Sequence, residues 1–139
     1  MIVLAIDQGT SGTKAIVVDE QGAVLALANE KVHPVYLVGG GVEQDPRELL
    51  ASVVTAGRRA VAEAGVRVDA VALANQGETV LAWDPTTGEP LSVAIVWQDR
   101  RAESVCAELA QDAALIASRT GLVLDPYFSA PKIDRKSVV

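Results

Sequence analysis

Several residue types are scarce in this sequence, and each scarcity excludes a class of protein. Cys106 is the only cysteine among 139 residues, which excludes an intrachain disulfide and a cysteine-based zinc site. Acidic residues outnumber basic ones by 18 to 12, with a formal charge of −6, so we expect neither nucleic acid nor an anionic membrane as a partner. The apolar opening run stops at Asp7, which makes it too short for a signal peptide or a membrane span. The lone cysteine fits the reducing cytosol, and we expect a cytoplasmic protein.

Aromatic residues are also scarce, at 4% of the chain, so Val, Ala and Leu must supply most of a hydrophobic core. The balance of 50% hydrophobic and 22% charged residues is that of a globular protein and not of a disordered chain. A length of 139 residues is typical of one domain. The sequence therefore predicts a folded domain with an aliphatic core.

The first third of the chain predicts an antiparallel meander. Residues 2–6, 13–19 and 23–31 are apolar runs rich in branched side chains, and polar turns containing glycine separate them. A helix is then predicted to begin at Asp45-Pro46, because Asp is a good N-cap and Pro suits the first helical position, and to end at Gly65. The apolar residues that recur at helical spacing on one face are Leu49, Leu50, Val53, Val54, Ala60, Val61 and Ala64.

The second half predicts a strand, a hairpin and two helices. A fourth strand is expected over residues 69–75, and residues 79–83 and 93–97 are expected to pair as a hairpin around a polar turn. Helices are expected over residues 100–110 and 111–119, the second ending near Gly121. This order of elements indicates an α/β fold, and its antiparallel opening excludes a simple doubly wound sheet.

The first candidate site is the turn between the first two strands, residues 7–14, which we call the phosphate loop. Glycines allow close backbone approach, hydroxyls and N–H groups can bond phosphate oxygens, and a lysine adds charge. Asp7 is placed to hold Mg²⁺ through water. The alternative is a solvated hairpin tip, and the spacing is not that of a P-loop. The candidate cofactor-binding residues are Thr10, Ser11, Gly12, Thr13 and Lys14.

The segment AIDQGTSGTKAIVVDEQG, residues 5–22, resembles the first phosphate motif of the sugar-kinase, actin and heat-shock ATPase superfamily. That superfamily has a ribonuclease-H-like core which opens with a three-stranded meander, a helix and a strand, the same order that the residues predict here. The resemblance implies ATP and Mg²⁺ as cofactors.

Three further stretches resemble the glycerol kinase branch of the FGGY carbohydrate kinases. The four motifs occur in the family's order and at its spacing, and they cover nearly the whole chain to Lys132. The additional stretches are Val42–Pro46, Asn75–Thr79 with Trp97–Arg100, and Gly121-Leu122 with Asp125–Ser129. The resemblance therefore implies a kinase that transfers the ATP γ-phosphoryl group to a sugar or polyol hydroxyl.

The resemblance also implies substrate-binding roles. Glu78 matches a glutamate that binds polyol hydroxyls, Tyr127 matches a tyrosine that contacts the polyol, and Trp97 matches a tryptophan that packs on its carbon chain. Gly77 stands where glycerol kinases carry an arginine, so we predict a substrate other than glycerol. Judged from the residues alone, Trp97 is more readily interpreted as a hairpin core residue and Tyr127 as a packed loop aromatic.

Residues 1–133 are interpreted as a partial N-terminal kinase domain, and residues 134–139 as a non-native or truncated tail. The family's catalytic aspartate is expected beyond residue 139, so the chain alone should be inactive. A homo-oligomer is expected. The rival interpretations are an actin-like or heat-shock-like ATPase module and a catalytically inactive domain fragment.

Overall fold

The computed structural model describes residues 1–134, which divide into two compact units. The first unit contains residues 1–34 and 46–76, and the second contains, of the described residues, 35–45 and 77–134. The elements are β1 (Val3–Gln8), β2 (Gly12–Val18), β3 (Val24–Lys31), β4 (Val35–Tyr36), β5 (Val42–Gln44), α1 (Pro46–Ala64), β6 (Ala70–Asn75), β7 (Ala94–Ile95), α2 (Glu103–Glu108), α3 (Ala113–Thr120) and α4 (Ser129–Asp134).

The first unit contains a sheet of strand order β3-β2-β1-β6, which confirms the predicted α/β fold with its antiparallel meander. Strands β1, β2 and β3 are antiparallel neighbours, and β6 pairs in parallel with β1 in a register from Val3 opposite Ala70 to Gln8 opposite Asn75. All residues of β6 are exposed. The sheet thus holds the phosphate loop at the end of β1, beside the end of β6.

Helix α1 covers one face of this sheet. Its predicted end is confirmed, because Gly65 has a φ of +63° and its N–H bonds Val61 O at 3.2 Å. The predicted buried face is wrong in part, since Leu50 is 66% exposed and Val54 41% exposed. Small residues occupy the contact instead because they let the helix approach the sheet closely. The core consists of Leu4, Ile6, Ala15, Val17, Ala26, Ala28, Ala56 and Ala60.

The second unit contains a small antiparallel sheet of order β4-β5-β7, of which β4 and β5 were not predicted. The predicted hairpin is wrong in part, because residues 79–83 form no strand and meet residues 90–95 only at isolated bridges. The Ala82 N–H donates to Ser92 Oγ at 2.9 Å and not to a backbone carbonyl. The Ser92 hydroxyl therefore accepts a bond that the predicted hairpin would have given to a backbone carbonyl.

The helix predicted over residues 100–110 is shorter in the structure. Residues 100–102 are not helical, and α2 begins at Glu103. In this stretch Arg100 N donates to Gly40 O at 2.9 Å and Arg101 N to Asp99 Oδ1 at 2.9 Å. The predicted stop at Gly121 is confirmed, with a φ of +73° after α3.

Among the helices described in residues 1–134, none is long and apolar enough to cross a membrane. Asp134 is the last residue of α4, and the remainder of the segment interpreted as a tail, residues 135–139, lies outside the described residues.

Candidate active site

The phosphate loop is a tight turn that only small residues can form. Gly9 N donates to Gly12 O at 2.9 Å, which closes the turn between β1 and β2. A Cβ added at Gly12 would lie 2.9 Å from the Glu30 carbonyl oxygen, and one added at Gly9 would lie 3.2 Å from Gly12 O. Backbone atoms cannot give way as a flexible side chain can, so the close packing of the loop requires glycine at position 12.

A polar cavity of ≈ 380 Å³ opens beside this loop in the first unit. Ser11 and Lys14 are exposed there, and Lys31 of β3 supplies a second ammonium group. Hydroxyl, ammonium and backbone N–H groups are the donors that a phosphate group accepts. The lining residues are Asp7, Gly9, Ser11, Gly12, Thr13, Lys14, Asn29, Glu30 and Lys31.

Two of the predicted phosphate-binding hydroxyls have protein partners. Thr13 is 1% exposed, and its Oγ1 lies 2.6 Å from Ser52 Oγ on α1. Thr10 Oγ1 donates to Gln76 Oε1 at 2.9 Å, just beyond the end of β6. Sequence reasoning missed both partners. The parallel pairing of Gln8 with Asn75, which only the folded sheet shows, places Gln76 beside the loop.

Asp7, the predicted metal-binding residue, lies opposite Lys14 in the β1–β2 register and is exposed at the cavity. Within residues 1–134 no group of three or more His, Cys, Asp or Glu side chains is arranged to hold a metal ion. A single carboxylate still suits Mg²⁺ in a nucleotide site, because that ion keeps several waters and takes its other ligands from phosphate oxygens.

The predicted substrate residues lie in the second unit, where the structure brings Trp97 and Tyr127 together. Their ring centroids are 5.8 Å apart with an interplanar angle of 63°, and Phe128 packs edge-on against Tyr127 at 5.1 Å. Such edge-to-face pairs are the favourable aromatic geometry. Trp97 N donates to Thr79 Oγ1 at 3.3 Å, which ties the tryptophan to the segment carrying Glu78. These aromatic rings form an apolar wall.

Glu78 has a φ of +60°, a left-handed conformation that is unusual for a residue other than glycine. Its Oε2 accepts bonds from both the N–H and the hydroxyl of Ser129, each at 2.6 Å, at the start of α4. The Ser129 hydroxyl bond is the main reason why the pKa of Glu78 lies below its ordinary value. The side chain is therefore an ionised acceptor at neutral pH.

Lys132 is 1% exposed, and no motif identified it as a site residue. Its Nζ donates to the carbonyl of Tyr127 and, at 3.3 Å, to that of Phe128, and it lies 5.9 Å from the Tyr127 ring centroid. Burial lowers the pKa of Lys132, while the Glu78 carboxylate opposes that shift. This ammonium group thus holds the backbone that presents Tyr127. A lysine on a short helix gives no sequence signal for such burial.

Gly77 leaves open space in the second unit. A Cβ built on it would meet no atom within 4 Å, and its φ is outside the left-handed region. A Cβ therefore fits here without a clash or backbone strain.

Asp99 and Arg100 organise the surroundings of this segment. Asp99 is 1% exposed and accepts bonds from Val42 N at 2.8 Å and from Arg101 Nε at 2.9 Å. Arg100 Nη1 donates at 3.2 Å to Asp125, whose Oδ1 also accepts the N–H of Tyr127 at 2.7 Å. Arg100 thus helps to fix the loop that carries Tyr127.

Comparison with known proteins identifies the family. The family model described as the FGGY family of carbohydrate kinases, N-terminal domain, matches residues 2–134. A glycerol kinase of Polaromonas naphthalenivorans (strain CJ2) is 45% identical over 136 residues, which are 94% of this chain and 27% of that relative. A glycerol kinase of Rhodospirillum centenum (strain ATCC 51521 / SW) is 48% identical over 135 residues, with the same coverage. The chain thus spans about a quarter of the length of these curated relatives.

Solved structures of carbohydrate kinases share the fold of this chain. A Plasmodium falciparum glycerol kinase with ADP shares 33% identity and a TM-score of 0.88 over 95% of this chain and 28% of that one. A xylulose kinase of Rhodospirillum rubrum shares the fold, with a TM-score of 0.90 and 24% identity over 99% of this chain and 30% of that one. With a family match over residues 2–134 and the matching fold, this chain belongs to the FGGY family of carbohydrate kinases, as its N-terminal domain.

Proposed function

We propose that this chain acts as the N-terminal part of an ATP-dependent kinase that phosphorylates a hydroxyl of a sugar or polyol. The observation that carries the proposal is the set of groups in the second unit, where the Trp97 and Tyr127 rings pack 5.8 Å apart and Glu78 is held as a carboxylate. A polyol requires hydrogen-bond acceptors for its hydroxyls and an apolar wall for its carbon chain. Glu78 supplies the first, and the two rings supply the second.

The phosphate loop is proposed to bind the ATP phosphates. Its backbone N–H groups, the Ser11 hydroxyl and the Lys14 ammonium are the donors that this role needs. Thr13 would contribute through its backbone, because its side chain is bonded to Ser52. Asp7 would hold Mg²⁺ through water, and the ion would neutralise phosphate charge during transfer.

The acceptor is proposed to be bulkier than glycerol. Gly77 lacks the forked donor that an arginine would direct to a small polyol. It also leaves open space, since a Cβ built on it meets no atom within 4 Å. A pentose, a pentulose or a longer polyol would fill this space. We also propose that the enzyme is cytoplasmic and forms a homo-oligomer.

The general base is proposed to come from residues outside this sequence, since phosphoryl transfer needs an oriented nucleophile and charge neutralisation together. The 139-residue chain by itself would then bind ligands without turning them over. An actin-like or heat-shock-like ATPase would instead hydrolyse ATP with no sugar dependence.

The test is ADP release by the full-length protein with glycerol, erythritol, pentoses and pentuloses, each compared by kcat/KM. Acceptor-dependent ADP release, with a pentulose or longer polyol ahead of glycerol, is expected. ATP hydrolysis that no acceptor stimulates would favour the ATPase alternative, and a clear preference for glycerol would refute the bulkier acceptor. Glu78→Gln is the matched variant, which keeps the shape and removes the charge.

A further inference from the structure

Gln76 contacts the phosphate loop on both sides of Gly9. Its N–H donates to Gln8 O at 2.8 Å, which continues the β1–β6 ladder beyond the last residue of β6. Its side-chain Oε1 accepts the hydroxyl proton of Thr10 at 2.9 Å. One residue thus fixes both the backbone before the turn and the hydroxyl inside it.

The direction of the Thr10 bond has a chemical consequence. A threonine hydroxyl has one proton, and in this structure that proton points to Gln76. A nucleotide phosphate at neutral pH presents oxygen acceptors, so Thr10 can bond it strongly only by giving it the same proton. A carboxamide carries an acceptor and a donor on one planar group, and rotation about its last bond exchanges them. After that rotation Nε2 donates to Thr10 Oγ1, and the proton is directed to the phosphate.

We propose that Gln76 is a positioning residue for nucleotide binding, whose amide reverses its hydrogen bond to Thr10 when a phosphate enters the loop. The inference rests on the proposed function for its ligand, the phosphates of MgATP or MgADP. An amide is required at this position because a carboxylate only accepts and a thioether is only a weak acceptor, so neither can donate to Thr10 Oγ1. The predicted specificity for amide chemistry separates this role from simple packing.

The experiment is a double-mutant cycle on the full-length protein, with MgADP affinity measured by titration calorimetry. Thr10→Ala should weaken MgADP binding roughly tenfold, the effect of losing a hydrogen bond to a charged group. Gln76→Met should also weaken it, but by less, because the Thr10 hydroxyl remains and only its orienting partner is lost. The double variant should be no weaker than Thr10→Ala by more than about twofold, because without the hydroxyl Gln76 has nothing to orient. Thr10→Ser, which keeps the hydroxyl, should bind MgADP about as tightly as the wild type.

Gln76→Glu asks whether an acceptor alone suffices, and it should bind MgADP no better than Gln76→Met. Asn29→Asp, which adds charge beside the same cavity without touching Thr10, measures the electrostatic part of that loss. Circular dichroism and melting temperature show that each variant is folded. Additive losses in the cycle, or Gln76→Glu binding as tightly as the wild type, would overturn the proposal.

The KM for ATP should rise in the Gln76 variants while the KM for the acceptor stays unchanged. If the wild type binds MgADP and phosphorylates no sugar or polyol, the proposed function fails and the titration still decides the role of Gln76. A wild type that binds no MgADP overturns both.

Discussion

Replacing Gly77 by arginine should convert the protein toward glycerol. The structure permits the change, because an added Cβ meets no atom within 4 Å and the backbone is outside the left-handed region. A hydrogen bond from a charged donor contributes about 1.5–3 kcal/mol, and ordering a long side chain costs up to about 2 kcal/mol. We therefore expect a net gain near the lower end of the hydrogen-bond range, which corresponds to about a tenfold increase in kcat/KM for glycerol.

Gly77→Ala is the matched control, since its methyl group has room and carries no donor. The ratio of glycerol kcat/KM in the arginine variant to that in the alanine variant then measures the contribution of the guanidinium group alone. Gly77→Lys separates charge from the forked geometry and should recover less than arginine does. The assay is coupled ADP release from the full-length protein with glycerol and with a pentulose, and the pentulose should lose as glycerol gains. Equal glycerol kcat/KM in the arginine and alanine variants would refute the reasoning.

Three further predictions concern acceptor binding and stability. Lys132→Met should raise the acceptor KM and lower the free energy of unfolding by about 1–3 kcal/mol, because the Tyr127 carbonyl loses its donor. Steady-state kinetics and urea unfolding test these two effects, and an unchanged acceptor KM would contradict the prediction. Burial raises the pKa of Asp99, but its hydrogen bonds to Arg101 and Val42 outweigh burial and hold that pKa below its ordinary value. The stability that Asp99 contributes at neutral pH should therefore be lost as the pH falls through the lowered pKa. Acid titration of the unfolding free energy should show a shallower loss in Asp99→Asn. Gly12→Ala should cost about 1–3 kcal/mol in urea unfolding, because its Cβ would lie 2.9 Å from Glu30 O, and a cost as small as that of the exposed Ser11→Ala would argue against the close packing.

Local signals in the sequence predicted the first unit well. The apolar runs separated by glycine-containing turns gave the meander, and Pro46 and Gly65 marked the ends of α1. The buried face of that helix was harder to predict. Hydrophobic periodicity selects large residues such as Leu50, whereas close approach to a sheet selects small ones such as Ala56, which has no exposed surface.

The second unit depends more on contacts between distant residues, and the pattern predicted it less well. The apolar run over residues 79–83 indicates a strand, but in the structure the Ala82 N–H donates to Ser92 Oγ, ten residues away, and the segment forms only isolated bridges. In the same way, Arg100 N, just before α2, donates to Gly40 O, 60 residues earlier in the chain. Neither partner is visible in a local window.

The candidate site shows the same limit. Residue types predicted which positions carry hydroxyls, but not where the protons of those hydroxyls point. Thr13 bonds a residue 39 positions away and Thr10 one 66 positions away, so both depend on the register of the folded sheet. The burial of Lys132 was likewise unpredictable, because composition places lysine at the surface.

The small inner face of α1 has a consequence for reading mutational data. A Cβ at Gly57 would lie 3.3 Å from Ile6 Cδ1, so larger residues there push the helix away from the sheet. Ser52 lies on the same helix and its hydroxyl bonds that of Thr13. Displacing the helix would therefore move β2, the strand that follows the turn of the phosphate loop. In a variant library selected for nucleotide binding, larger residues at Gly57 and Ala56 would be lost as strongly as substitutions of residues that contact the nucleotide. Neither Gly57 nor Ala56 lines the polar cavity. Such a map would show helix packing, and not only the ligand, as a determinant of affinity.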